Sequence, residues 1–179
     1  MPSLLVHCCC VHCSAYSLKY WRQQGFQVTA FWYNPNIHPF AEHQLRLEAI
    51  KTFLNNTGIP LVMSPCYDID RYFKSTRGSE SRCESCYQMR LEAAATCAQD
   101  NGYDGFTSSL LISPQQQHDR LTRIGIEVAD RHKVRFYYAD LRKRYSDSRA
   151  LTKSQTLYRQ EYCGCLHSRH QQDGGQTAN

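Results

Sequence analysis

The stretch "SLLVHCCCVHCSAYSLKYWRQQGFQVTAFWY", residues 3–33, decides the fold. Its first residues, "SLLV" (3–6), form a short apolar run that reads as a buried strand. "SAYSLKYWRQQG" (14–25) then predicts a helix, with Ser14 able to cap its start and Gly25 able to close its end. "FQVTAFWY" (26–33) is β-branched and aromatic and predicts a second strand. Strand, helix and strand in that order make a βαβ unit, whose strands run parallel through a right-handed crossover.

Outward from this unit the alternation continues. "NPNIHP" (34–39) is a turn by composition, and "AEHQLRLEAIKTFLNNTG" (41–58) spaces Leu47, Ile50, Phe53 and Leu54 as a helix that Gly58 ends. "IPLVMS" (59–64) predicts a third strand, "ESCYQMRLEAAATCAQDNG" (84–102) a helix, and "DGFTSSLLI" (104–112) a fourth strand. "DRLTRIGIEVADRH" (119–132) is helical, "KVRFYYA" (133–139) predicts a fifth strand, and "RALTKSQTLYRQ" (149–160) a final helix. The expectation is a single α/β domain, a Rossmann-like doubly wound parallel sheet with flanking helices. Residues 1–167 would form it, with a polar flexible tail at 168–179.

The chain has 179 residues, 41% of them apolar and 12% aromatic, enough for one buried core without staples. "MPSLLVHCCC" lacks a basic region, a long apolar run and a cleavage site, and no stretch approaches a membrane span. A cytoplasmic location without membrane attachment is expected, where clustered thiols signify metal or redox chemistry rather than disulfide staples. Residues 120–159 hold eleven Lys or Arg against four acids, so this segment carries +7 while the whole chain carries +5. A basic segment suits either a polyanion such as RNA or solvated helix faces.

Ten cysteines fall into separate groups. Cys8, Cys9, Cys10 and Cys13 follow the first strand, where this fold gathers ligands. Cys83 and Cys86 form a C-x-x-C at the entry to a helix, whose N-terminus favours thiolate. Cys163 and Cys165 flank a single glycine, and Cys66 and Cys97 stand alone. Cys97 lies on the apolar face with Leu91 and Ala94 and reads as packing. One zinc usually takes two C-x₂₋₄-C pairs, and only one is clean here, whereas adjacent thiolates can reach different irons of a cluster. Cys163 and Cys165 fit a strained, easily reduced dithiol or the ligands of a second metal. His7 and His12 suit supporting or packing roles better than ligation. Neither G-x-G-x-x-G nor a P-loop occurs, so no nicotinamide, flavin or nucleotide fingerprint is present.

"LLVHCCCVHCS", "FWYNPNIHP", "RCESCYQMRL", "FTSSLLISPQQ" and "LYRQEYCGC", in this order from Leu4 to Cys165, resemble the epoxyqueuosine reductase QueH family. The resemblance implies a HUP-class sheet and removal of the epoxide oxygen of epoxyqueuosine in a tRNA anticodon, the last step of queuosine synthesis. It implies a [4Fe–4S] cluster on Cys9, Cys10, Cys83 and Cys86, with a further mononuclear iron that Cys13 could serve. Cys163 and Cys165 would be its redox-active pair or ligands of that iron, and an external electron donor is required. Two features depart from the family: Cys8 adds a sulfur, leaving the ligand register open by one residue, and His12 stands where a proline is expected. Trp32 and Tyr33 are candidates to stack on the substrate base, and Arg142, Lys143 and Arg144 to contact tRNA phosphates. A zinc-binding RNA module without catalysis and a thiol–disulfide oxidoreductase using Cys83 and Cys86 are the alternatives.

Overall fold

A computed structural model describes residues 1–173. Five parallel strands, β1 (Ser3–His7), β2 (Gln27–Trp32), β3 (Leu61–Met63), β4 (Gly105–Ser108) and β5 (Arg135–Phe136), form one sheet in the order β3-β2-β1-β4-β5. Helices α1 (Val11–Gln23), α2 (Phe40–Thr57), α3 (Ile69–Thr76), α4 (Arg82–Asp100), α5 (His118–His132), α6 (Tyr145–Leu151) and α7 (Leu166–Asp173) connect and follow them. Alternation along β1 sends Leu4 and Val6 to a core shared with α1 and α2, and Leu5 to a core shared with α4 and α5. Both faces of the sheet are covered, as a parallel sheet requires. No helix among the described residues is long and apolar enough to cross a membrane.

Five elements differ from the sequence expectation. Helix α1 starts earlier, because the Cys10 thiol, not Ser14, caps it by accepting from the Cys13 amide at 3.4 Å. The final helix predicted over 149–160 stops at Leu151. Tertiary contacts outweigh its propensity: His12 holds the Thr152 hydroxyl at 2.7 Å and the Tyr158 carbonyl at 3.2 Å, and Leu157 packs on the α1–α2 core. The fifth strand shrinks to Arg135–Phe136 at the sheet edge. Between β3 and α4, where the sequence predicts no element, α3 forms, capped by Asp68 and buried through Tyr72 and Thr76 at i,i+4 spacing. Helix α7 occupies residues 166–173, and so the first half of the segment expected as a tail; the rest of that tail lies outside the described residues.

Candidate metal centre and active site

The strand order reverses between β1 and β4, and the crevice at their carboxyl ends is where this architecture binds ligands. His7 ends β1 and lies fully buried. Its Nε2 faces the Tyr33 carbonyl at 3.2 Å, so Nε2 carries the proton and Nδ1 accepts from the Ser108 hydroxyl at 3.0 Å. Burial, with the nearby charge of Arg90, holds the His7 pKa down to about 3, so the ring bridges β1, β2 and β4 as a neutral strut.

The chain then turns into α1, and the turn sorts the sulfurs. Cys8 points into the apolar core, donates to the Val6 carbonyl at 3.3 Å, and is pushed up to about 12 by burial. Cys9, Cys10 and Cys13 point the other way, with ligand atoms all within 4.8 Å of one another. Cys9 Sγ lies 3.9 Å from Cys10 Sγ and accepts from the Ser109 hydroxyl at 3.3 Å. Hydrogen bonds with Cys10 and Cys13, together with the charge of Arg90, hold Cys9 well below the usual thiol range. The three sulfurs line a cavity of about 230 Å³ with Arg90, Arg149, Arg159 and Cys163.

A second cavity of about 230 Å³ adjoins it, lined by Cys83, Cys86, Cys163, Cys165, Tyr72 and Arg90. Cys83 and Cys86 occupy the first turns of α4, which Ser81 caps. Cys86 is pushed up to about 12 by burial. Arg90, one turn further along α4, reaches Cys86 Sγ at 3.8 Å and borders both cavities, as Cys163 does. Cys165 precedes α7, and its Sγ accepts from the Ser168 amide at 3.4 Å. Three helix N-termini, those of α1, α4 and α7, therefore present cysteines to one divided site. The helix dipoles favour thiolate, whereas burial raises Cys83, Cys86 and Cys163 above the usual thiol range, and hydrogen bonding among Cys9, Cys10 and Cys13 together with burial raises Cys10 and Cys13.

The C-terminal pair is held by α2 and the loop before it. Buried Arg46 pairs with Glu42 at 2.7 Å and donates to the carbonyls of Cys163 at 3.0 Å and Tyr162 at 2.9 Å. The His38 amide donates to the Gly164 carbonyl at 2.8 Å. Gly164 has φ +138°, and an added Cβ would stand 3.1 Å from Ile37, so glycine is required between the two cysteines.

The seven cysteines picked from the sequence, Cys9, Cys10, Cys13, Cys83, Cys86, Cys163 and Cys165, all line these two cavities. They divide differently from the expected four-ligand set: Cys9 and Cys10 open into one cavity with Cys13, and Cys83 and Cys86 into the other. Cys66 is exposed, and Cys97 packs against the α4–α5 core. Trp32 is not free to stack on a base, being buried with its indole N–H donated to His43 at 3.0 Å. Tyr33 is buried as well. Of the three basic residues expected to meet tRNA phosphates, Arg142 is engaged by Asp140 at 2.6 Å and Arg144 by Asp147 at 3.1 Å. Sequence reasoning passed over Arg46 and Arg90; their signal was an arginine at an inward position of each helical pattern.

The model of a family described as epoxyqueuosine reductase QueH matches residues 4–171. A protein named epoxyqueuosine reductase QueH from Dehalococcoides mccartyi is 51% identical over 174 residues, covering 97% of this chain and 96% of that protein. The chain belongs to the epoxyqueuosine reductase QueH family. A QueH of the same name from Acinetobacter baylyi is 35% identical over 174 residues, covering 92% of this chain and 79% of its own. The fold also matches a solved structure described as a predicted subunit of tRNA methyltransferase from Methanocaldococcus jannaschii. That match has a TM-score of 0.59 at 12% identity, covering 97% of this chain and 89% of that one, and it supports the sheet architecture alone. Both relatives are named as reductases, so the family to which the chain belongs is one of oxidoreductases.

Proposed function

We propose that this QueH chain reduces epoxyqueuosine to queuosine in the anticodon of tRNA. The observation that carries the reading is the convergence of seven cysteines on two adjoining cavities in a chain of this family. The reaction removes the epoxide oxygen as water and leaves an alkene, consuming two electrons and two protons. Thiol-only donor sets suit iron–sulfur centres and thiophilic ions, and reject hard cations such as magnesium.

On this reading Cys9, Cys10, Cys83 and Cys86 hold a [4Fe–4S] cluster, and Cys13 serves a second iron. A bound cluster would supply single electrons at a potential set by its surroundings. A second division is favoured by one distance. Two thiolates on one tetrahedral ion, each bonded at about 2.3 Å, stand just under about 4 Å apart, and Cys9 and Cys10 are separated by 3.9 Å. Cys9, Cys10 and Cys13 are thus spaced for a single ion, leaving Cys83, Cys86, Cys163 and Cys165 to the cluster.

The chain's own groups do the rest. In the first division Cys163 and Cys165 remain a free dithiol that holds two electrons and two protons, and forming their disulfide balances conversion of one epoxide to alkene and water before an external donor restores the thiols. In the second division the external donor must supply both electrons directly. Arg149 and Arg159 at the rim of the first cavity offer positive charge to phosphates of an anticodon loop, whose unstacked base can enter. Such chemistry belongs where tRNA is, in the cytoplasm.

The test is incubation of anaerobically purified protein with tRNA bearing epoxyqueuosine and a reductant, followed by nucleoside mass spectrometry. Conversion to queuosine supports the reading. No conversion by protein with full iron and sulfide content refutes it. Iron and sulfide counts in a Cys9→Ser variant separate the two divisions: loss of sulfide together with iron assigns Cys9 to the cluster, whereas loss of one iron with the sulfide intact favours the single-ion site.

A further inference from the structure

Two arginines of this fold are almost wholly buried in the described structure, each 2% exposed, and they differ in one respect. Arg46 has a carboxylate, Glu42, at 2.7 Å. Arg90 has none within ion-pair distance among the described residues. Its Nη2 donates to the neutral Asn34 Oδ1 at 2.9 Å, its Nη1 faces Cys86 Sγ at 3.8 Å, and its buried Nε has no partner. Asn34 is itself fixed by donating to the Cys8 carbonyl at 2.9 Å. The guanidinium is thereby pinned in the wall between the two sulfur-lined cavities.

A buried cation without a counter-ion is strongly disfavoured, so the fold must supply negative charge there. The candidates nearest the guanidinium are sulfurs, Cys9 on one side, Cys86 on the other and Cys163 facing both, while Glu161 lines the first cavity without reaching ion-pair distance of Arg90. We propose that Arg90 is a positioning residue that sets the charge of the sulfur centre: its guanidinium, held by Asn34, offsets the negative charge of the metal-bound thiolates and raises the potential at which the centre accepts an electron. Net charge and hydrogen bonds to sulfur are the two levers a protein has on such a potential, and Arg90 applies both from one side chain. The inference rests on the metal reading of the thiols proposed above.

The test uses anaerobically prepared whole chain, wild type against Arg90→Gln, Arg90→Lys and Asn34→Asp, with iron and sulfide content and the midpoint potential measured by optical and EPR titration. At wild-type iron content, Arg90→Gln should shift the midpoint to more negative potential, and Arg90→Lys should return most of that shift. Asn34→Asp, which sets a carboxylate against the guanidinium and cancels its charge without removing it, should shift the midpoint in the same direction. Loss of iron from Arg90→Gln but not from Arg90→Lys would support the same charge requirement. An unchanged midpoint in Arg90→Gln at full iron content overturns the proposal, as does a lysine variant no nearer wild type than the glutamine one. Should Arg90→Gln fail to fold, an unchanged midpoint in Asn34→Asp at full iron content overturns it instead. A wild-type chain without iron would refute the metal reading itself, a separate outcome that the iron assay reads directly.

Discussion

Arg46 and Glu42, one helical turn apart on α2 and both buried, form a 2.7 Å ion pair whose arginine also grips the carbonyls of Tyr162 and Cys163. The pair ties the second helix of the sheet to the last cysteines of the chain, more than a hundred residues away. Glu42 contributes a second tie through the Tyr158 hydroxyl. Arg46→Met removes the grip and leaves Glu42 buried and uncompensated, at a cost of about 3 kcal/mol. The expected result is a lower melting temperature, new protease cleavage within residues 152–165, and lost turnover. Adding Glu42→Gln should recover stability but not turnover, because the carbonyls of Tyr162 and Cys163 remain unheld. Resistance of residues 152–165 to protease in Arg46→Met would show that the segment docks by other means.

The orientation of Cys8 against Cys9 makes a second prediction. Cys8 lies in the apolar core with Leu4 and Val6, whereas Cys9 faces Ser109 and the first cavity. Cys8→Ala should keep wild-type iron content and lose roughly 1 kcal/mol for the small cavity it leaves. Cys9→Ala should keep the fold and lose iron. Iron loss in Cys8→Ala equal to that in Cys9→Ala would move the ligand register back by one residue.

These two cases show how much of the molecule was legible in the sequence. Hydrophobic alternation and helix spacing gave the parallel sheet, since strand and helix periods depend on residues close together in the chain. Which way Cys8 and Cys9 point was not legible, because it depends on where α1 begins, and a thiol capping that helix has no entry among ordinary cap preferences. The path of residues 152–165 was hidden for a related reason. Its course is fixed by His12, His38 and Arg46, residues distant in sequence, and the helical pattern of 149–160 pointed elsewhere. The division of the cysteines between two cavities also depends on such long-range docking.

His43 gives the pH prediction. It accepts the Trp32 indole N–H at 3.0 Å, and burial, with the charge of Arg46, lowers its pKa to about 4 from an ordinary 6.5. The folded chain therefore holds His43 neutral at pH values where the unfolded chain takes up a proton. Stability is unaffected by this group above pH 6.5, falls as the pH drops below it, and levels off near pH 4. The loss between neutral pH and pH 5 should be about 2 kcal/mol from this residue. In His43→Gln, whose side-chain oxygen can still accept from Trp32, urea unfolding at the two pH values should differ by that much less than in wild type. Equal pH dependence in the two proteins would show that His43 titrates normally.

The last prediction concerns how tRNA phosphates are met. Residues 120–159 carry the excess positive charge, but ion pairs already engage part of it: Arg142 with Asp140, Arg144 with Asp147, Arg123 with Glu127 and Glu84. An arginine held by a carboxylate must give up that partner before it can hold a phosphate, so it contributes little net binding. Arg149 and Arg159 instead line the cavity of Cys9, Cys10 and Cys13, with no carboxylate at ion-pair distance among the described residues. Each phosphate they neutralise releases counterions and steepens the salt dependence by a little under one unit of log–log slope. Replacing both with alanine should flatten that slope by roughly one to two units and weaken tRNA binding most at low salt. Replacing Arg142, Lys143 and Arg144 together should flatten it by about one unit, chiefly through Lys143. The iron content should be unchanged in both variants, because no sulfur is altered. A larger slope change in the triple variant than in the Arg149, Arg159 double variant would place the anticodon stem along the 3₁₀ turn at 142–144 rather than over the sulfur-lined cavity.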